Sequence, residues 1–178
     1  MTRELDRHSA ETQFRTVFSH LGAVTAYARR RGSKDADAIA AEVMTIAWRR
    51  LADVPKDDAR PWLYATARNL LLAEARRTVV AGEHGDFEQA DAGTERHELD
   101  PGLAQALRSL SRLDQEALLL IAWEDLTPSQ AAKVLGIKPA AFRVRLLRAR
   151  RRLRASLEAA DVEGRRPARL ARFDVEGT

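Results

Sequence analysis

Between Arg143 and Arg154 the chain carries seven arginines and no acidic residue. A guanidinium is a planar fork of donors that grips guanine O6 and N7 in bidentate fashion or clamps a phosphate. With no Glu interleaved, these arginines cannot satisfy one another's neighbours through i,i+4 ion pairs. The segment is therefore either a plainly solvated helix face or a surface for a polyanion. Its helical wheel separates two sides. Phe142, Leu146, Ala149 and Leu153 follow i, i+4, i+7, i+11 spacing and are expected to pack inward. The opposite side centres on Ala140, Val144, Leu147, Arg148 and Arg151, flanked by Arg143 and Arg145, with Lys138 at the helix start. These eight positions are the candidate nucleic-acid contacts. Val144 and Leu147 suit thymine methyl groups, or alternatively a protein partner.

The residues just upstream say how such a helix is positioned. Thr127-Pro128-Ser129-Gln130 has the composition of a helix start, in which the Thr hydroxyl caps a backbone N–H and Gln130 reaches back. Leu135-Gly136 ends that helix, since glycine accepts the left-handed conformation of a sharp exit. Lys138-Pro139 opens the next, and the small Ala132 lies where the two helices approach. Helix, short turn, helix is the helix-turn-helix, whose second helix enters the major groove of DNA. DNA contact is accordingly preferred over a solvated face.

Charge divides the 178 residues into blocks. Residues 1–77 hold 14 basic and 10 acidic side chains, 78–101 hold one Arg against seven acids, and 102–158 hold 11 basic and five acidic. Two basic blocks on either side of an acidic one fit two polyanion-facing surfaces. Of the 30 basic residues 26 are Arg, a bias that a GC-rich genome would also produce. The chain has no cysteine, which excludes disulfides and Cys-based zinc sites. His8, His20, His84 and His97 lack metal-ligand spacing and read as surface or linker residues. Neither a Gly-rich phosphate loop nor a catalytic constellation is present, so no enzyme, cofactor, metal or catalytic residue is expected. The start, MTRELDRHSAETQ, has no apolar signal core, and no run reaches the roughly 18–20 apolar residues of a membrane span. A cytoplasmic protein without membrane insertion is expected.

Within the first block Phe14, Val17, Phe18, Leu21, Val24 and Ala28 have helical spacing over 11–31, closed by three arginines and Gly32. A second helix is expected from Ser33–Asp35 with Ile39, Val43, Ile46, Ala47 and Leu51 buried, and Trp48 beside them. ADVPKDDAR, residues 52–60, is a loop by composition. A third helix opens at Asp57 or Asp58 and Pro61 and runs to about Arg77. The acids at 53, 57 and 58 read as caps rather than catalysts. Trp48 and Trp62 read as core residues rather than base-stacking platforms. The fold class is thus all-α: two small helical domains (1–77 and 102–158), a flexible acidic linker at 78–101, and a disordered tail at 159–178. Leu103, Leu107, Leu110 and Leu113 precede a helix through Ala117–Ile121 that packs on the helix-turn-helix.

Both blocks together resemble the extracytoplasmic-function group of bacterial sigma factors, the RNA polymerase specificity subunits, over about residues 12–157. The series AW…VP…PWL…ARN in the first block is similar to the family's region two. The second block, with LTPSQAAKVLGIKPAAFRVRLLRARRRL, looks like its region four. The resemblance implies partners: core RNA polymerase, promoter DNA as duplex and as non-template single strand, and an anti-sigma factor. Carried over by position, Asp53, Lys56, Arg60, Arg68, Asn69, Arg76 and Arg77 would hold the minus-ten strand and its flipped base. The eight recognition-helix positions would read the minus-thirty-five element, and Asp35, Asp37 and Glu42 would bind polymerase. Ala38 and Ala41 stand where the family usually has Asp and Gln, and Ala140-Ala141 replaces a commoner Gly-Thr or Ser-Thr pair. Two other readings compete. One is a stand-alone helix-turn-helix regulator on duplex operator DNA; the other is an adaptor that binds acidic proteins only.

Overall fold

In the computed structural model, which describes residues 2–80 and 100–164, every regular element is helical. The first part comprises α1 (Thr2–Phe18), α2 (Leu21–Arg30), α3 (Ala36–Arg49) and α4 (Ala59–Val80), with a short 3-10 turn at Leu51–Asp53. The second comprises α5 (Pro101–Arg108), α6 (Arg112–Ala122), α7 (Pro128–Leu135) and α8 (Pro139–Gly164). Most of the acidic segment expected as a linker lies outside the described residues, as does the end of the tail. The first residues beyond 158 continue α8 as helix to Gly164.

The single helix expected over 11–31 is two helices. Ser19 interrupts it: its hydroxyl donates to Thr16 O at 2.7 Å, and His20 N donates to Val17 O at 3.1 Å, a tighter turn than the α-helical ladder. Such local hydroxyl-to-backbone bonds compete with helix continuation. The second block likewise splits between α5 and α6, where Ser111 adopts an extended backbone and caps Asp114 N at 3.2 Å. Leu113 consequently falls on the outer side of α6 and is 43% exposed.

Elsewhere the apolar periods place the core as expected. Val24, Tyr27 and Ala28 of α2 meet Ala40, Val43 and Ala47 of α3 and Leu63, Tyr64 and Ala67 of α4, all buried. Tyr27 and Tyr64 stack with ring centroids 4.7 Å apart. Trp48 departs from expectation. It is half exposed, resting edge-on against Phe14 at 4.8 Å, because its position on α3 looks past α1 rather than into α2 and α4. Trp62 is partly buried against the core, as expected.

The helix-turn-helix forms from its own local chemistry. Thr127 Oγ accepts from Gln130 N at 3.3 Å, and Gln130 Oε1 accepts from Thr127 N at 2.8 Å, closing a reciprocal cap. Gly136 terminates α7 at φ +66°, and no atom lies within 4 Å of where a Cβ would stand. Backbone strain alone therefore resists substitution. Gly136→Val should cost about 1–2 kcal/mol, while Gly136→Asn, a residue that tolerates this region, should cost much less. Thermal melts that rank Val level with Asn would contradict this account of the turn.

Candidate nucleic-acid interface

The core side of α8 is as its wheel requires: Phe142, Leu146 and Ala149 are buried and Leu153 is partly so. They seat α8 on α5, α6 and α7, which fixes the direction of the opposite side. There Lys138, Ala140, Arg143, Val144, Leu147, Arg148 and Arg151 are all exposed. Val144 and Leu147 are 49% and 51% exposed between these arginines. No described residue pairs with Arg143, Arg148 or Arg151.

Arg145 belongs elsewhere. Its Nη1 lies 3.2 Å from Asp114 Oδ1, and Arg152 Nη1 holds Asp114 Oδ2. Asp114 is 2% exposed, so it is a buried carboxylate shared by two guanidiniums. The pair ties α6 to α8 and orients the recognition helix; Arg145 is a positioning residue here rather than a free base-reading one. Nothing in the sequence marks Asp114 for this task, since an acid three residues after Ser111 looks like an ordinary first-turn residue of a helix.

An apolar groove of about 230 Å³ runs on the other side of this domain, between α5, α6 and α8, lined by Leu103, Leu107, Leu119, Trp123, Leu146 and Leu153. Among the described residues no helix is long and apolar enough to cross a membrane, and no group of His, Cys, Asp and Glu could hold a metal.

Residues 102–153, which contain this helix-turn-helix with its supporting α5 and α6, match the family model described as sigma-70, region 4. Two solved structures match nearly the whole fold. The structure of CnrH in complex with the cytosolic domain of CnrY is 25% identical at TM-score 0.57, covering 86% of this chain and 97% of that one. This match and the shared fold support a sigma factor of the extracytoplasmic-function group. The fold is also shared, at TM-score 0.60 and 23% identity, with the sigma factor RpoE in complex with the anti-sigma factor NepR from Bartonella quintana, covering 81% of this chain and 95% of that one. No curated protein matches the chain.

The region-four match and the shared fold support a sigma-factor function, and sigma factors as a family are not enzymes. The first domain divides the candidate strand-binding residues into two groups. Asp53, Lys56, Asn69, Arg76 and Arg77 are exposed. Asp53, the last residue of the 3-10 turn, pairs with Arg50 at 2.8 Å, and Gln13 Nε2 donates to the carbonyls of Leu51 and Val54 at 3.1 and 3.3 Å. The loop before α4 is thereby anchored at its start, while Lys56 and Asp57 project outward.

Arg60 and Arg68 form the second group and face the second domain. Arg68 Nε donates to both oxygens of Glu116 at 2.9 and 3.1 Å, and Arg60 Nη2 donates to the carbonyl of Glu124. On α4 these two lie on the side turned away from Asn69, Arg76 and Arg77, so one face of the helix meets the second half of the chain and the other is exposed. Beside Arg60, burial and the guanidinium's charge hold His20 below its usual imidazole range, so it is neutral near pH 7. Burial pushes the Tyr64 hydroxyl up despite its hydrogen bond to Arg60.

The polymerase candidates are on α3. Asp35 is the N-cap, accepting from Ala38 N at 2.8 Å, which gives it a structural duty. Asp37, Ala38, Ala41 and Glu42 are exposed along one side of the helix, with two carboxylates framing a shallow methyl surface.

Proposed function

We propose that the outer face of α8 reads the minus-thirty-five element of a promoter, and that the loop before α4 with the outer face of α4 captures the minus-ten strand. Arg143, Arg148 and Arg151 supply the guanidinium forks, with Lys138 at the helix start and Val144 and Leu147 against thymine methyls. Lys56, Asn69, Arg76 and Arg77 track the non-template backbone, and the anchored loop around Asp53 receives an unstacked base. Asp37 and Glu42 on α3 meet the polymerase clamp, and the apolar groove beside α8 seats the flap. Functionally the chain divides into a module before residue 78 and another from 102 to 158.

The observation that carries this reading is an exposed, acid-free arginine face on the second helix of a sigma region-four domain. An inhibitory partner follows from the two structural relatives, each solved with a bound protein that one of them names an anti-sigma factor. The exposed pair Val144 and Leu147 supports such a contact as well as a thymine contact.

Run-off transcription with bacterial core polymerase, on genomic fragments selected by the reconstituted holoenzyme, tests the reading. The chain alone is expected to hold duplex promoter poorly and to direct transcription once mixed with core. Tight duplex binding by the free chain, with no transcription from the mixture, would establish the operator-binding regulator instead.

A further inference from the structure

Seven arginines lie between Arg143 and Arg154, yet the fold does not offer all seven to DNA. Arg145 and Arg152 stand seven positions apart, two helical turns, and share one edge of the outer face of α8. Arg143, Arg150 and Arg154 share the other edge. The first edge meets α6, where Asp114 Oδ1 accepts from Arg145 Nη1 at 3.2 Å and Asp114 Oδ2 accepts from Arg152 Nη1. The second edge is exposed, and no described residue pairs with its guanidiniums.

The start of α6 places the acid. The Ser111 hydroxyl accepts from Asp114 N at 3.2 Å, which sets Asp114 in the first turn. The Asp114 side chain is 3% exposed, whereas those of Arg145 and Arg152 keep 35% and 60% of their surface in solvent. The carboxylate is therefore fixed, and the two arginines are long arms bent back to it. A buried carboxylate is a costly way to join two helices, since apolar side chains of similar volume often hold as well or better. What it does that they cannot is occupy guanidiniums in the charge-assisted geometry otherwise offered to phosphate.

Affinity for duplex of any sequence rises with each phosphate a protein neutralises, whereas discrimination among bases does not. Specificity is the difference between the two affinities. We propose that Asp114 is a specificity determinant of promoter recognition: it withholds Arg145 and Arg152 from the phosphate backbone, so that the outer face of α8 reads bases without gripping DNA of every sequence. The proposal rests on the reading of that face as the promoter-facing surface.

Asp114→Asn in the full chain tests it. The amide keeps the shape of the carboxylate, and both guanidiniums are free to swing into solvent. Binding of a labelled random-sequence duplex at about 0.1 M salt should rise about three- to tenfold, and the slope of log affinity against log salt should steepen by about one to two, one for each phosphate newly held. Glu158→Gln, on the exposed surface of the same helix, changes the net charge equally and releases no guanidinium held by a described residue. It should leave the slope unchanged; an equal rise there would reduce the effect to net charge and overturn the proposal. The triple variant Asp114→Asn, Arg145→Ala, Arg152→Ala should return to the wild-type slope, and a slope that stays steep would mean a loosened helix instead of released arginines. Arg152→Gln supplies an arm that keeps Asp114 and leaves Arg145 on it. Its slope should match wild type, and a shallower one would show that Arg152 already holds phosphate, which would also overturn the proposal. In holoenzyme, Asp114→Asn should lose half of its run-off transcript at about three- to tenfold less non-promoter competitor DNA. Unchanged duplex binding and unchanged competitor sensitivity would sink the idea. If the wild-type chain directs no transcription with core, the sigma-factor reading fails, while the duplex-binding arms still report whether Asp114 withholds the two arginines.

Discussion

Phe142→Ala should destabilise the chain by about 3–5 kcal/mol, the range for emptying a fully buried aromatic site. Phe142 is 0% exposed and is among the largest wholly buried side chains, with Tyr27 and Tyr64. It is the first inward residue of α8, one turn after Lys138, whose carbonyl accepts from Phe142 N at 3.0 Å. Its ring therefore sets the angle at which α8 leaves the turn and crosses α7, where Ala131, Ala132 and Val134 are buried beneath it in the same core. Short helices such as α7 have little stability of their own and depend on such packing. A domain's whole stability is about 5–15 kcal/mol, so a loss of this size leaves little margin. Urea unfolding followed by circular dichroism checks it. A change below about 1 kcal/mol would mean that the site collapses around the missing ring and that the recognition helix is held chiefly by something else.

Arg143→Ala and Arg148→Ala should each weaken promoter use by about 1–3 kcal/mol where the guanidinium meets a base edge, with relaxed preference at that base. If both contact only phosphate, the loss will be even across promoter sequences and the salt dependence shallower. Both residues are exposed and unpaired with any described residue, so the substitutions remove no internal contact. Arg145→Ala is the internal control. It strips one partner from the buried Asp114 and should register in the melting curve before it registers in base preference. The readout is run-off transcription by holoenzyme on a panel of single-base promoter variants. Full transcription by the Arg143→Ala, Arg148→Ala double variant would remove this face from promoter recognition.

What the amino-acid order determined by itself is everything decided within a few residues. Thr127 and Gln130 make their cap and Gly136 its left-handed exit through contacts within a turn or two, and the spacing of Phe142, Leu146 and Ala149 puts them on one face of their helix. The all-helical class and the helix-turn-helix were legible for that reason, as was the resemblance to a sigma factor. The break at Ser19 belonged to the same scale, but a hydroxyl that ends a helix looks the same as one that rides on its surface. The sorting of the arginines was decided only by tertiary structure. Arg68 meets Glu116 across 48 positions and Arg30 meets Glu124 across 94, and neither separation leaves a trace in local pattern. Each of these arginines is chemically the same fork as Arg143. Whether it faces an acid of its own chain or remains open to a phosphate depends on where folding puts the acid, because charge pairing is set by distance in space and not by position along the backbone.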